Sequence, residues 1–121
     1  MKADSNLNNL PLAITLGDPA GIGPELAIKI MSDQKIPSSK RLVFIGNLWA
    51  LNETAMVMGV ELPPLNLIHR PEDSVIGFNF IEPKAVPKPN AFRLGEVQAT
   101  CGKSAIEAIE FGAKGCLAGH F

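Results

Sequence analysis

The feature that most constrains the fold is a segment rich in glycine and proline at residues 15–25, which read TLGDPAGIGPE. A short apolar run at residues 12–16, which leads into this segment and overlaps its start, predicts a buried strand. After it, apolar residues recur at helical spacing from Gly23 onward, and Pro24 fits the first helical turn because its missing N–H needs no partner there. The segment therefore predicts a tight strand-to-helix turn, as at the start of a β-α-β unit.

The same turn is the candidate cofactor-binding site, with Gly17, Asp18, Gly21 and Gly23 as its residues. Glycines let backbone N–H groups approach a ligand, and ligands of open α/β sheets lie beyond the carboxyl ends of the strands. The spacing G-x-x-x-G-x-G matches neither the dinucleotide fingerprint nor the P-loop. A turn that only packs the helix closely on the sheet, with Asp18 as its cap, is an equal alternative.

The rest of the chain alternates between strand and helix patterns. Further strands are predicted at 41–46, more weakly at 66–69, and as an extended segment at 75–81. Asn47 is expected to cap a helix that ends at Gly59, and Trp49 near its start is expected to serve packing rather than ligand stacking. The pattern is typical of an α/β fold, with a parallel-type sheet and flanking helices.

A last helix is predicted from about Ala99, with one apolar stripe facing the sheet. The residues expected on this stripe are Cys101, Ala105, Ala108, Ile109, Gly112 and Cys116. The two cysteines are roughly 22 Å apart along such a helix, too far for a disulfide. Both are therefore expected to be reduced thiols that serve as small core residues.

Charge and hydropathy exclude several classes of function. Eleven Lys and Arg residues balance twelve Asp and Glu residues, so no basic field favours nucleic acid or a membrane surface as a partner. No stretch approaches the roughly 20 apolar residues that span a bilayer. Residues 1–11 form a polar leader that does not resemble a secretory signal. Together these features predict a cytoplasmic protein.

Residues 16–25, Leu-Gly-Asp-Pro-Ala-Gly-Ile-Gly-Pro-Glu, resemble the opening signature of the 4-hydroxythreonine-4-phosphate dehydrogenase family. The resemblance continues through Val-Phe-Ile-Gly at 43–46, Met-Gly-Val at 58–60 and a proline-rich stretch. It ends with a helix that carries Cys101-Gly102 where the family usually has Asn-Gly. It implies that residues 12–121 are the N-terminal part of a fold like that of isocitrate and isopropylmalate dehydrogenases, incomplete in this chain.

The resemblance also implies an activity for the complete protein. Such enzymes use NAD and a divalent metal (Zn, Mg or Co) to oxidise and decarboxylate 4-phosphooxy-threonine in vitamin B6 biosynthesis, and they are homodimers. In the family, the metal-binding histidines come after the position of Phe121. We therefore expect no catalytic or metal-binding residue in this chain, no activity from it alone, no tight cofactor binding, and surface positions for His69 and His120.

Two alternatives to this interpretation stay open. In the first, the chain is part of a relative that acts on another hydroxy acid phosphate, such as threonate phosphate. In the second, it is a small phosphate- or nucleotide-binding module that uses the glycine-rich turn.

Overall fold

The computed structural model describes residues 9–36 and 39–121, so most of the predicted leader lies outside the described residues. Within these ranges the strands are β1 (Leu12–Thr15), β2 (Arg41–Ile45), β3 (Asn66–Leu67) and β4 (Gly77–Ile81), and the helices are α1 (Gly23–Ser32), α2 (Leu48–Met58) and α3 (Ala99–Leu117). A single 3-10 turn, Pro71–Asp73, lies between β3 and β4. None of the helices in the described part of the chain has the length and apolarity needed to cross a membrane.

All neighbouring strands of the sheet are parallel, in the order β1-β2-β4-β3. The predicted α/β class with a parallel sheet is confirmed. Because the strands are parallel, all their carboxyl ends lie at one edge of the sheet, which we call the carboxyl edge. Of the weak strand expected at 66–69, only the two residues of β3 form a strand. The extended segment expected at 75–81 contains the five residues of β4.

The core has two layers because β2 and β4 lie in the middle of the sheet and bury both faces. Leu42 and Phe44 belong to a cluster with α1 and α2, whereas Val43 and Ile45 belong to a second cluster with Ala108 of α3. This alternation follows from the two-residue period of a strand. Helices α1 and α2 therefore cover one face of the sheet, and α3 covers the other.

The prediction that residues 12–16 form a buried strand was wrong for β1. Leu12 is 60% exposed, and only Leu16, just after the strand, is buried. The reason is position: within the described sheet β1 is an edge strand, with β2 as its one neighbour. The apolar run alone cannot distinguish an edge strand from a central one.

The buried stripe of α3 is rotated from the predicted one. Ile109 and Cys116 are exposed, and the buried residues are Cys101, Ser104, Ala108, Gly112 and Gly115. A Cβ added at Gly112 would lie 3.3 Å from Thr15 Cγ2, so the helix approaches the sheet closely. A close approach favours small side chains at the contact and leaves the larger Ile109 outside. On α1, Ile28 is buried whereas Leu26 is half exposed.

One buried amide, that of Asn79 in β4, ties together the segments around the β3–β4 crossover. Its Nδ2 donates to the carbonyl oxygens of Leu42 and Val75 at 3.0 and 2.8 Å. Its Oδ1 accepts the N–H of Val75 at 2.9 Å and a hydrogen bond from Asn66 Nδ2 at 3.1 Å. Because Asn79 is fully buried, these partners replace water for every polar atom of its side chain.

Replacing this amide by an apolar group of similar shape tests that role. Asn79→Leu removes the side-chain partner of the buried Leu42 carbonyl oxygen and both side-chain bonds to the Val75 main chain, and should lower the free energy of unfolding by about 2 kcal/mol. Asn66→Ala is the matched control because it removes one bond of the same network from an exposed side chain, at a cost below about 1 kcal/mol. Urea unfolding of both variants measures the difference, and equal costs would contradict the role of Asn79.

Candidate functional site

The four predicted site residues lie in one turn at the carboxyl end of β1, which we call the glycine-rich turn (residues 17–23). Gly17 has a φ of +70°, a conformation that other residues rarely adopt. Asp18 closes the turn: its Oδ1 accepts the N–H of Ala20 at 2.8 Å, and its carbonyl oxygen accepts the N–H of Gly21 at 2.9 Å. Asp18 therefore caps the turn as expected.

Gly23 is required by packing. A Cβ on this residue would lie 1.8 Å from the carbonyl oxygen of Leu16, far inside van der Waals contact. The first residue of α1 thus rests directly on the main chain that leaves β1. Two of the three glycines, Gly17 and Gly23, are needed by the fold itself, so their presence alone is not evidence of a ligand.

The charges around the glycine-rich turn are acidic. Glu25 lies in the first turn of α1, where the helix dipole favours a negative charge, and forms an exposed ion pair with Lys29 at 3.4 Å. Among the described residues, none donates a hydrogen bond to the second carboxylate oxygen of Asp18, Oδ2. The turn therefore offers an acceptor for a hydroxyl group, whereas a phosphate there would meet the Asp18 carboxylate.

A second cluster at the carboxyl edge consists of Asn47, Glu82 and Ser104. Asn47 Nδ2 donates to Glu82 Oε1 at 3.2 Å and to the carbonyl oxygen of Lys84 at 2.9 Å, and Ser104 Oγ donates to Asn47 Oδ1. Glu82 Oε1 also accepts the N–H of Leu48 at 3.0 Å. The prediction that the Asn47 side chain caps α2 was wrong, because Glu82 takes that role while Asn47 is drawn to α3 and the chain after β4.

This cluster fills the crevice between the carboxyl ends of β2 and β4. The helix after β2 covers one face of the sheet and the helix after β4 covers the other, which is the arrangement that opens a ligand-binding crevice in α/β folds. Sequence reasoning missed all three residues as a group. No local signal joins them, since 57 positions separate Asn47 from Ser104.

A cavity of about 180 Å³ lies beside this cluster, at the ends of β3 and β4. Its lining residues are Leu48, Leu67, Ile68, His69, Phe80 and Glu82. None of the four predicted residues of the glycine-rich turn lines it. His69 at its rim and His120 near the end of the chain are both exposed, which confirms their expected surface positions.

The residues that the structure describes do not fit a metal ion. Within residues 9–36 and 39–121, no group of three or more His, Cys, Asp or Glu side chains lies together. Structural and catalytic metal sites need at least three such ligands in most cases. These described residues therefore supply no ligand set for a metal-assisted step.

The thiol of Cys101 lies under the glycine-rich turn. It is fully buried, whereas Cys116 is exposed, and both are free. Burial raises the pKa of Cys101 above the ordinary 9.0, and the nearby carboxylate of Asp18 raises it further, while a hydrogen bond with the Ala20 main chain acts in the opposite direction. The expectation of a core thiol holds for Cys101 and was wrong for Cys116.

The fold of this chain recurs in known proteins. The chain is 31% identical over 112 residues to a D-threonate 4-phosphate dehydrogenase from Pectobacterium atrosepticum. This match covers 90% of this chain and 34% of that protein. It is 41% identical over 56 residues to a 4-hydroxythreonine-4-phosphate dehydrogenase from Synechocystis, covering 46% of this chain and 16% of that protein. The crystal structure of a 4-hydroxythreonine-4-phosphate dehydrogenase from Klebsiella pneumoniae superposes with a TM-score of 0.80 at 29% identity, over 92% of this chain and 34% of that one.

The chain belongs to the 4-hydroxythreonine-4-phosphate dehydrogenase family. It spans about one third of the length of the relatives it matches, consistent with their N-terminal portion. No protein-family model matches the chain. Its sheet and helices are part of the isocitrate/isopropylmalate dehydrogenase-like fold of this family, as the sequence resemblance predicted.

Packing at Gly23 can be tested by adding a single methyl group. Gly23→Ala forces α1 away from the Leu16 carbonyl and should cost about 3 kcal/mol of unfolding free energy. Gly102→Ala is the matched control, because no atom lies within 4 Å of a Cβ added there. Removing a glycine from a helix should stabilise the chain by about 0.5–1 kcal/mol. Thermal or urea unfolding distinguishes the two, and a tolerated Gly23→Ala would contradict the packing role.

The buried thiol predicts a pH dependence of stability. Folding raises the pKa of Cys101, so the protonated thiol is linked to stability. Its contribution to the free energy of unfolding is fully present below pH 9.0 and is lost as the pH rises through the higher folded-state pKa. Cys101→Ala should flatten the decline of unfolding free energy above pH 9.0. Cys116→Ala, which removes an exposed thiol outside this environment, is the control. If the unfolding free energy falls equally steeply with pH in the parent and in Cys101→Ala, the prediction is contradicted.

Proposed function

We propose that this chain is the N-terminal part, at residues 12–121, of an NAD-dependent dehydrogenase that oxidises a phosphorylated hydroxy acid, with residues 1–11 as a polar leader. The observation that carries the proposal is the match to relatives named for this activity over about nine tenths of the chain. The substrate proposed from the family resemblance is 4-phosphooxy-threonine, oxidised and then decarboxylated in vitamin B6 biosynthesis.

A second substrate, D-threonate 4-phosphate, is supported by a specific observation. The Pectobacterium relative that matches 90% of this chain carries that substrate in its name, and so does a relative from Salmonella typhimurium that is 29% identical over 101 residues. Both substrates are small, anionic and hydroxylated, and a cofactor contact at the glycine-rich turn is compatible with either.

The part of the proposal that this chain can carry is the cofactor contact at Gly17, Asp18, Gly21 and Gly23. Gly21 is exposed on the turn, and Asp18 is half-buried beside it with Oδ2 available to a hydroxyl donor. A carboxylate at the end of a first strand suits a ribose hydroxyl of NAD better than its phosphates, because a carboxylate accepts a hydroxyl donor and repels a phosphate. With only this edge of the cofactor held, binding is weak.

A substitution that removes charge without breaking the turn tests this contact. Asp18→Asn keeps an oxygen that accepts the Ala20 N–H but weakens acceptance of a ribose hydroxyl, so NAD binding should fall several-fold. Asp33→Asn is the matched control, since Asp33 Oδ1 accepts the Lys35 N–H at 2.9 Å in a similar turn after α1. NMR titration with NAD measures both variants. Tighter binding by Asp18→Asn would instead indicate that the turn faces a phosphate.

Catalysis by the chain alone is expected to be absent, because the described residues hold no cluster of metal-binding side chains. NADH formation should stay at background with 4-phosphooxy-threonine or D-threonate 4-phosphate, with NAD and Mg²⁺ or Zn²⁺ present. NADH production above background would overturn this expectation. Tight, saturable phosphate or nucleotide binding without catalysis would favour the small binding module instead.

The remaining features of the proposal come from the resemblance to the complete enzymes. We propose a divalent metal held by residues outside this chain, a homodimer as the complete assembly, and a cytoplasmic location. The two free cysteines support the last point, because reducing compartments keep thiols unpaired.

A further inference from the structure

The segment that joins β4 to α3, residues 83–97, crosses the carboxyl edge without helix or strand, and we call it the strap. Three prolines, Pro83, Pro87 and Pro89, give it three positions with no N–H to donate. Val86 is its one buried residue, and the others are half-buried or exposed. Few buried contacts and few backbone hydrogen bonds are the marks of a segment with low local stability.

The strap is held to α2 mainly by Trp49. The indole Nε1 donates to the carbonyl oxygen of Val86 at 2.7 Å. The ring of Phe92 meets the indole edge to face, with ring centres 5.1 Å apart. Lys88 adds an ion pair with Glu53 one turn further along α2. We call the Trp49, Val86 and Phe92 contacts the latch.

The far end of the strap lies on the glycine-rich turn. The Gly95 N–H donates to the carbonyl oxygen of Ala20 at 2.7 Å, and Ala20 is only 5% exposed. Gln98, at the start of α3, donates from Nε2 to the carbonyl oxygen of Ala91 at 3.1 Å and so holds the strap's end. The Cys101 Sγ lies 3.8 Å from Gln98 Oε1, on the inner side of this junction.

We propose that the strap is a cover that opens as a local unit, releasing the latch and the Gly95–Ala20 bond while the sheet and helices stay folded. The strap stays joined to β4 at Lys84, whose carbonyl oxygen accepts a hydrogen bond from Asn47, and to α3 at Gln98.

The strap holds the Gln98 side chain through the Ala91 carbonyl oxygen and the Arg93 N–H, and the buried Cys101 thiol donates to Gln98 Oε1. Opening frees the Gln98 side chain and the Ala20 carbonyl oxygen and so makes the Cys101 thiol accessible.

The buried thiol is a direct reporter of this opening. In a Cys116→Ser background, Cys101 is the single thiol, and its reaction with Ellman's reagent under native conditions, at one fixed pH, measures how often it becomes accessible. Phe92→Ala breaks the aromatic contact of the latch and should speed the reaction about tenfold. Trp49→Phe removes the indole N–H and should speed it several-fold.

Phe121→Ala is the matched control, because Phe121 is also half-buried and in an edge-to-face pair, with Phe111, but lies away from the strap. Urea midpoints of all variants separate local opening from global unfolding. The proposal predicts that Cys101 is labelled faster in Phe92→Ala and Trp49→Phe than the loss of global stability in these variants explains. In Phe121→Ala, the labelling rate should change only as much as global stability does. Labelling that follows global stability alone in all three, or a parent thiol as reactive as a free one, would overturn it. Neither readout depends on NAD.

Discussion

The contact between the start of α1 and the end of β1 is the constraint on which the rest of the structure depends. Leu16 is buried between two glycines: its carbonyl oxygen faces Gly23 at a distance that leaves no room for a Cβ, and its side chain fills the space where Gly46 lacks one. This double contact sets where α1 leaves the sheet. The side chain of Leu16 also joins the cluster that α1 and α2 build on β2 and β4.

The same contact changes how the glycine-rich turn is interpreted. Its glycines and its Asp cap are largely explained by folding, so the motif on its own does not identify a ligand site. What remains for recognition is the exposed Gly21 and the second oxygen of Asp18, beside an acidic helix start. The family assignment therefore comes from the extended likeness in sequence and fold, over about one third of each relative, and the activity of the complete protein stays a proposal.

Contacts across the carboxyl edge join elements that are far apart in the sequence. Asn47 and Glu82 close the crevice between β2 and β4, Ser104 ties α3 to them, and the strap reaches from Trp49 to Ala20. In the buried part of this edge each polar side-chain atom has a partner, and the low-dielectric environment strengthens those hydrogen bonds. The strap differs, since its contacts are mostly at the surface and it contributes little to the core.

Local sequence was sufficient for the α/β class, the start of α1 at Gly23, the left-handed end of α2 at Gly59 and the capping of the turn by Asp18. Each depends on a backbone preference or a spacing that acts within a few residues. Tertiary structure decided the exposure of β1, the small-residue face of α3, and the replacement of Asn47 by Glu82 as the cap of α2. These depend on which strand is central, how closely a helix approaches the sheet, and which distant carboxylate meets a helix N-terminus. All three involve residues far apart in the sequence, so they are decided only when the whole chain packs.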